Sequence, residues 1–306
     1  MYAYQRMSAK NIINFANPKS FVASVIPAIF GILLTIKFGY SMSFARGLVL
    51  ILTCVFFQAS VNTINDYADF VNGVDSIDDN LEAEDNIMFY NNIRPKSVEN
   101  LGLIFLAIGI GLGFLALDGI NYPSIAIGLV ALFTVLFYSK GPLPISYLPI
   151  GEFTSGFVMG GLIPLGVSSA ITASLNPEIL IYSLPFILGI GLIMMSNNAS
   201  DIEKDKRAKR NTLAVVMGRE KIRILYKISL VLWLISQVIL TYVLAGNILL
   251  VLNLALLFIK KNFIKEVLSA SLLPEARIGQ MMNIAKANVL INASYLLWIG
   301  LSMIGA

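Results

Sequence analysis

The chain has 306 residues, 57% of them hydrophobic and only 13% charged, where a soluble domain would carry roughly 25% charged residues. That deficit, with many apolar runs long enough to cross ~30 Å of hydrocarbon, excludes an ordinary soluble globule and indicates a polytopic membrane protein. The absence of histidine and the single cysteine, Cys54, exclude zinc–histidine sites, a disulfide within the chain, and every Ser-His or Cys-His nucleophile scheme.

Residues 1–19 are polar and basic, without an apolar core or a small-residue cleavage site, so no cleavable signal is expected. Apolar runs then predict an all-α protein with nine transmembrane helices, at 20–38, 44–64, 98–117, 123–139, 153–171, 178–199, 222–244, 246–259 and 286–304. The eighth is short for a full crossing. Gly109-Ile110-Gly111-Leu112-Gly113 and Gly156 to Gly161 offer small faces for close packing. Pro27, Pro164 and Pro185 are expected to kink their spans.

With the N-terminus in the cytoplasm, nineteen of the 22 Lys and Arg fall in inside segments. Only Lys37 and Arg46 fall outside, and Lys227 lies just within the seventh span. This positive-inside bias predicts a multi-pass protein of the cell membrane, with its N-terminus and its long charged loops on the cytoplasmic face. No nucleic-acid partner is expected.

Two acidic clusters end the second and sixth spans, and this topology puts both on that face. The first carries Asn62, Asn65, Asp66, Asp69 and Asp75; the second carries Asn198, Asp201, Glu203 and Asp205. On a helix, Asn62 and Asp66, Asn65 and Asp69, and Asp201 and Asp205 are each four apart and share a face, with Asn198 three before Asp201. Each helix end thus offers a column of hard oxygen ligands, which suits Mg²⁺ completed by water and substrate phosphate. Two facing columns could clamp one diphosphate between two ions. Asp75 is read as ordering the loop, and the acidic tract at 78–85 as a solvated loop.

The neighbouring cations fit a diphosphate. Lys204, Lys206, Arg207, Lys209 and Arg210 follow the second cluster, Arg94 and Lys96 follow the first, and Lys140 begins the loop after the fourth span. The competing reading of these cations is an anchor at anionic headgroups. A diphosphate headgroup in a membrane-embedded core implies a lipid tail, and a polyprenyl diphosphate matches. Its loss as a leaving group gives an allylic cation, with the departing charge stabilised by Mg²⁺ and Lys/Arg. A transporter using the carboxylates as an ion pathway is the alternative from another class. Transport sites usually lie near the midplane, whereas both clusters sit at helix ends.

Asn65-Asp66-Tyr67-Ala68-Asp69 and Asp201-Ile202-Glu203-Lys204-Asp205 resemble the two Asp-rich motifs of the UbiA superfamily of intramembrane prenyltransferases. Pro18-Lys19-Ser20, the segment from Phe137 through Tyr138 and Lys140 to Tyr147, Gly151-Glu152-Phe153, Asn197-Asn198 and Asn211-Thr212-Leu213 extend the resemblance in order. Within it, the chain looks most like the branch that prenylates 1,4-dihydroxy-2-naphthoate for menaquinone. The resemblance implies a single membrane domain over 1–306, with helices around a central cavity capped by the loops after spans two and six. It implies Mg²⁺ on Asn65, Asp69, Asp201 and Asp205, with Asn198 as a further ligand, and Asp66, Asp69, Asp201 and Asp205 as the catalytic carboxylates, Asp66 in support. Lys19, Asn62, Arg94, Tyr138, Lys140 and Lys206 would bind substrate, and a lipid-soluble aromatic acceptor would receive the prenyl group. A glycerol-phosphate ether lipid, or another quinone or pigment precursor, is the alternative acceptor. Asn17 and Ser200 stand where that branch has Arg. Each lost charged hydrogen bond predicts diphosphate binding weaker by roughly 1.5–3 kcal/mol.

Overall fold

A computed structural model describes residues 4–74, 87–246, 253, 256, 257 and 260–304. Asp75, the acidic tract at 78–85 and most of the expected span 246–259 lie outside them. Among the described residues every regular element is helical, with one isolated bridge between Gln5 and Ile93.

The chain enters through a broken helix. Ser8 caps α1 (Ala9–Ala16) by accepting from the Asn11 amide. Asn17 then turns left-handed (φ 50°), and Pro18 opens a 3₁₀ turn, Pro18–Phe21, before α2 (Val22–Lys37). A break leaves carbonyls short of partners, and α3 (Phe44–Val71) supplies donors to three of them. Thr63 donates to the Phe15 carbonyl (3.2 Å), Asn62 to Ala16 (2.8 Å) and Gln58 to Ser20 (2.6 Å).

The second span was expected to end near residue 64, but α3 runs 28 residues to Val71. At 1.5 Å per residue it is ~42 Å long, more than the ~30 Å of hydrocarbon. It is therefore longer than the apolar layer is thick, and its last two turns carry the polar residues Asn65, Asp66 and Asp69. The short α4 (Ile87–Tyr90) precedes α5 (Pro95–Leu115) and α6 (Tyr122–Phe137). The next crossing is composite: α7 (Gly151–Ser155), a π-helical stretch (Gly156–Leu162) and α8 (Ile163–Thr172).

The sixth span is two helices rather than one, α9 (Glu178–Tyr182) and α10 (Leu184–Ser200), because Pro185 stands in the first turn of α10. Pro164 likewise stands in the first turn of α8, whereas Pro27 lies inside α2 as expected. Gly156 serves close packing: a Cβ there would lie 2.5 Å from the Ile187 carbonyl of α10. After α10 come α11 (Ile202–Arg207), α12 (Leu213–Met217), α13 (Arg219–Ala245), α14 (Lys261–Leu268) and α15 (Arg277–Ile304).

Six helical stretches are long and apolar enough to cross a membrane: Ala9–Lys37, Phe44–Val71, Pro95–Leu115, Gly151–Thr172, Arg219–Ala245 and Pro274–Ile304. Tyr122–Phe137 and Leu184–Ser200 are shorter apolar helices. The all-α, multi-pass expectation therefore holds, while the described residues do not reach the expected nine. The bundle closes on itself where Phe30 of α2, Phe186 of α10 and Tyr295 of α15 meet, with ring centroids 4.7–5.8 Å apart.

Candidate functional site

The overshooting end of α3 meets the chain that follows α11. Lys209 ends α11 in a left-handed conformation (φ 56°), and the Arg210 amide turns back to the Asp205 carbonyl (2.8 Å). That reversal lays the Arg210 guanidinium between the two motifs, 3.6 Å from Asp69 and 3.7 Å from Asp205. Its face lies over the Tyr147 ring, 5.1 Å from the centroid. Asn65 donates to Asp69 (3.2 Å) and accepts from Ser139 (2.5 Å). Thr212, which caps α12, donates to Asp205 (3.1 Å).

Electrostatics follow from this enclosure. Burial pushes the Asp205 carboxyl up to about 6, although Arg210 pulls the other way. Burial also works against the Arg210 charge, but Asp69 and Asp205 outweigh it and raise its pKa above the ordinary value.

Of the expected column of Asn198, Asp201 and Asp205, the last two stay one turn apart, the Asp205 amide donating to the Asp201 carbonyl (2.8 Å), while Asn198 lies on the preceding helix. Asp201 caps the C-terminus of α10, and α11 starts anew after it. Asp201 pairs with Arg277 at the start of α15 (2.9 Å), which also donates to Asn197 (2.6 Å). Asn198 donates to the buried Glu152 of α7 (2.9 Å). The structure thus brings Asn65, Asp69 and Asp205 together, keeps Asp201 beside Asp205 while it pairs with Arg277, and turns the Asn198 side chain to Glu152.

Asp66 is half-buried on the turn shared with Asn65. Lys140 pairs with the buried Glu99, as does Lys96 (2.7 Å), and sits 5.7 Å from the Tyr67 ring centroid. The Tyr138 hydroxyl bonds Ser155 (2.8 Å). Lys19, Arg94 and Lys206 are exposed. Asn62 spends its amide hydrogens on Ala16 and Ser20 (both 2.8 Å).

Sequence reasoning counted Arg210 only as part of a basic run, and missed Glu99, Arg277 and Gln58. Gln58 carried a readable signal: it is four residues before Asn62, hence on the same face. Arg277 and Glu99 carried none, since their partners are remote in the chain.

Mg²⁺ takes hard oxygen ligands and leaves much of its octahedron to water and phosphate. Asn65, Asp69 and Asp205 are donors of that kind and fit it. Among the described residues no three His, Cys, Asp or Glu side chains form a complete metal cage, so water and a phosphate would complete the coordination.

Beneath this cluster lies a cavity of about 470 Å³ between α2, α3, α5, α6, α8 and α10. Ser20, Gln58, Asn62 and Tyr138 line its polar end, and Leu50, Leu117 and Ala170 its far end. Asn62 to Leu50 is twelve residues of α3, ~18 Å at helical rise. The cavity therefore extends ~18 Å along α3 from Asn62, one turn before Asp66.

The UbiA prenyltransferase family matches residues 24–273. The 1,4-dihydroxy-2-naphthoate octaprenyltransferase of Bacillus subtilis (strain 168) is 31% identical over 219 residues, covering 71% of this chain and 70% of that protein. The Drosophila melanogaster UbiA prenyltransferase domain-containing protein 1 homolog is 26% identical, covering 73% of this chain and 62% of its own length. The chain therefore spans less than two thirds of that animal relative. Among solved structures, an Archaeoglobus fulgidus UbiA homolog bound to DMAPP and Mg²⁺ superposes with a TM-score of 0.64 at 16% identity, over 95% of this chain and 99% of that one. A digeranylgeranylglyceryl phosphate synthase superposes with a TM-score of 0.61 at 22% identity, over 97% of this chain and 99% of that one.

Proposed function

The chain belongs to the UbiA prenyltransferase family, and from that premise we propose that it moves a prenyl group from a polyprenyl diphosphate to a lipid-soluble aromatic acceptor of the 1,4-dihydroxy-2-naphthoate type. Membership of a prenyltransferase family replaces the transporter alternative. The observation that carries the reading is the convergence of Asp69, Arg210 and Asp205 above the apolar cavity. A charged head at the cluster and an apolar tail in the cavity describe one amphipathic donor.

In this reading Asn65 and Asp69 would hold one Mg²⁺, and Asp205, with Asp201 near, would hold a second. Asn198 orders Asp201's turn and Asp66 supports the first column. The chemistry that Mg²⁺ supplies when bound is positive charge on the departing diphosphate. Arg210, Lys140 and Lys206 add cationic donors for the same oxygens, with Lys19 and Arg94 at the approach. The carbon–oxygen bond breaks with its electron pair leaving on the diphosphate. A ring carbon of the acceptor then supplies the pair for the new carbon–carbon bond and loses its proton. The cavity keeps water from the allylic cation meanwhile.

The excess of Lys and Arg in the loops on that side supports a site on the cytoplasmic face of the cell membrane, and the reading takes 1–306 as one domain. The Bacillus relative's printed activity favours the aromatic acceptor. The fold of digeranylgeranylglyceryl phosphate synthase supports a second reading, transfer to a glycerol-phosphate ether lipid. Membranes supplied with Mg²⁺, labelled prenyl diphosphate and a panel of acceptors test both, with product expected for the naphthoate. Asp69→Ala and Asp205→Ala should each lower turnover by about 100-fold or more, as loss of one electrostatic stabiliser does elsewhere. Wild-type turnover in both variants would sink the reading.

A further inference from the structure

The second acidic motif is interrupted at its first carboxylate. Asp201 is the residue on which α10 ends (φ −101°, ψ 15°), and α11 begins with Ile202. A carboxylate at such a junction is not locked by the packing of a helix interior. A ligating carboxylate needs its own hydrogen-bond partner to set its direction, and loss of such a partner typically costs 10–100-fold in metal affinity.

Arg277, which opens α15, is that partner. Its Nε donates to Asp201 Oδ1 (2.9 Å) and its Nη2 to Asn197 Oδ1 (2.6 Å). Those two nitrogens lie on one edge of a rigid planar fork, so a single group ties together two side chains four residues apart. The bridge is enclosed, with Arg277 14% and Asp201 12% exposed, unlike a surface ion pair that solvent screens and loosens. Asp205 stands one turn further on, its amide bonded to the Asp201 carbonyl (2.8 Å). Two carboxylates at that spacing repel, and the guanidinium charge offsets the repulsion. Oδ1 is committed to Arg277, which leaves Oδ2 as the oxygen for a metal.

The origin of this cation is distinctive. Ser200, beside Asp201 in the chain, spends its hydroxyl on the Ser196 carbonyl (2.9 Å). The cation against Asp201 comes instead from the last helix, beyond the residues 24–273 that match the family. We propose, on the prenyl-transfer reading above, that Arg277 is a positioning residue: its fork holds the Asp201 carboxylate so that Asp201 and Asp205 together take one divalent ion.

Mn²⁺ binding to the full chain in lipid nanodiscs, read by electron paramagnetic resonance with inorganic diphosphate present, tests this without turnover. Arg277→Ala should weaken binding by about tenfold or more. Arg277→Lys keeps the charge but not the fork and should recover only part of that loss; it carries the comparison if the alanine variant does not fold. In an Asp201→Ala background either substitution should cost nothing further, because its effect passes through that carboxylate. Wild-type affinity in either single variant, or an equal loss in both backgrounds, would overturn the proposal. Wild-type protein that binds no Mn²⁺, or Asp205→Ala that binds it as wild type does, would sink the metal-assisted reading as well, so the two failures are told apart.

Discussion

Asp205 is 2% exposed, and its carboxyl stands at about 6 because burial outweighs the pull of Arg210. A metal ligand must be deprotonated, so a divalent ion binding there has to displace a proton whenever the pH lies below that value. The sign is fixed by the raised pKa: above about 6 the carboxylate is ready, and below it Mg²⁺ competes with H⁺. On the prenyl-transfer reading, the Mg²⁺ concentration for half-maximal activity should be flat above about pH 6 and rise toward tenfold per unit below it, as one competing proton requires. Titrating Mg²⁺ at several pH values checks this, and Asp205→Asn should bind more weakly with no inflection. An unchanged inflection in that variant would assign the proton elsewhere. At this scale the acidic spacing was readable because i,i+4 neighbours are set by local geometry. The pairing of Asp201 with Arg277, 76 residues away, was not, because nothing local encodes it.

The broken entry α1–α2 depends on α3 for its hydrogen bonds, and that dependence assigns Asn62 a structural duty. Asn62→Ala leaves the Ala16 carbonyl buried without this donor, which should cost about 1–3 kcal/mol. The variant should melt lower in detergent whether or not a prenyl diphosphate is present. If only substrate affinity fell, with the melt unchanged, Asn62 would be a substrate ligand as the motif alone suggested. The elements were legible to different depths. Hydropathy located α3 but ended it near residue 64, where the apolar run stops; the i,i+4 spacing of Asn65 and Asp69, not hydropathy, carried the sign that the helix continues. Pro185 was legible as a disturbance, yet hydropathy ran straight across the break between α9 and α10. The glycine faces divide in the same way. Gly156 is fixed by backbone contact with Ile187, whereas a Cβ at Gly111 would meet nothing within 4 Å.

At the scale of the molecule, a staple joins the helix ends beside the far, apolar end of the cavity. Arg46 donates to the carbonyls of Ala116 (2.8 Å) and Ala170 (2.7 Å), the ends of α5 and α8, and pairs with Asp118 (2.5 Å). Composition foretold a helical bundle but not this cavity, whose walls come from six helices distant in sequence. Gly128 of α6 leaves part of that space open. It lines the cavity, and a Cβ there would meet nothing within 4 Å. Glycine in a helix costs about 1 kcal/mol relative to alanine, and no neighbour demands it, so packing does not account for it. If the prenyl tail occupies this space, Gly128→Phe should leave kcat/KM for dimethylallyl diphosphate near wild type. For long polyprenyl diphosphates it should fall by about tenfold or more, the scale on which an apolar pocket discriminates by size. Paired assays of one short and one long donor with the same acceptor measure that ratio. A ratio equal to wild type would mean that the tail runs elsewhere. A loss for both donors, with the Asn65–Asp69–Arg210 cluster untouched by the substitution, would instead make the glycine a requirement of the fold.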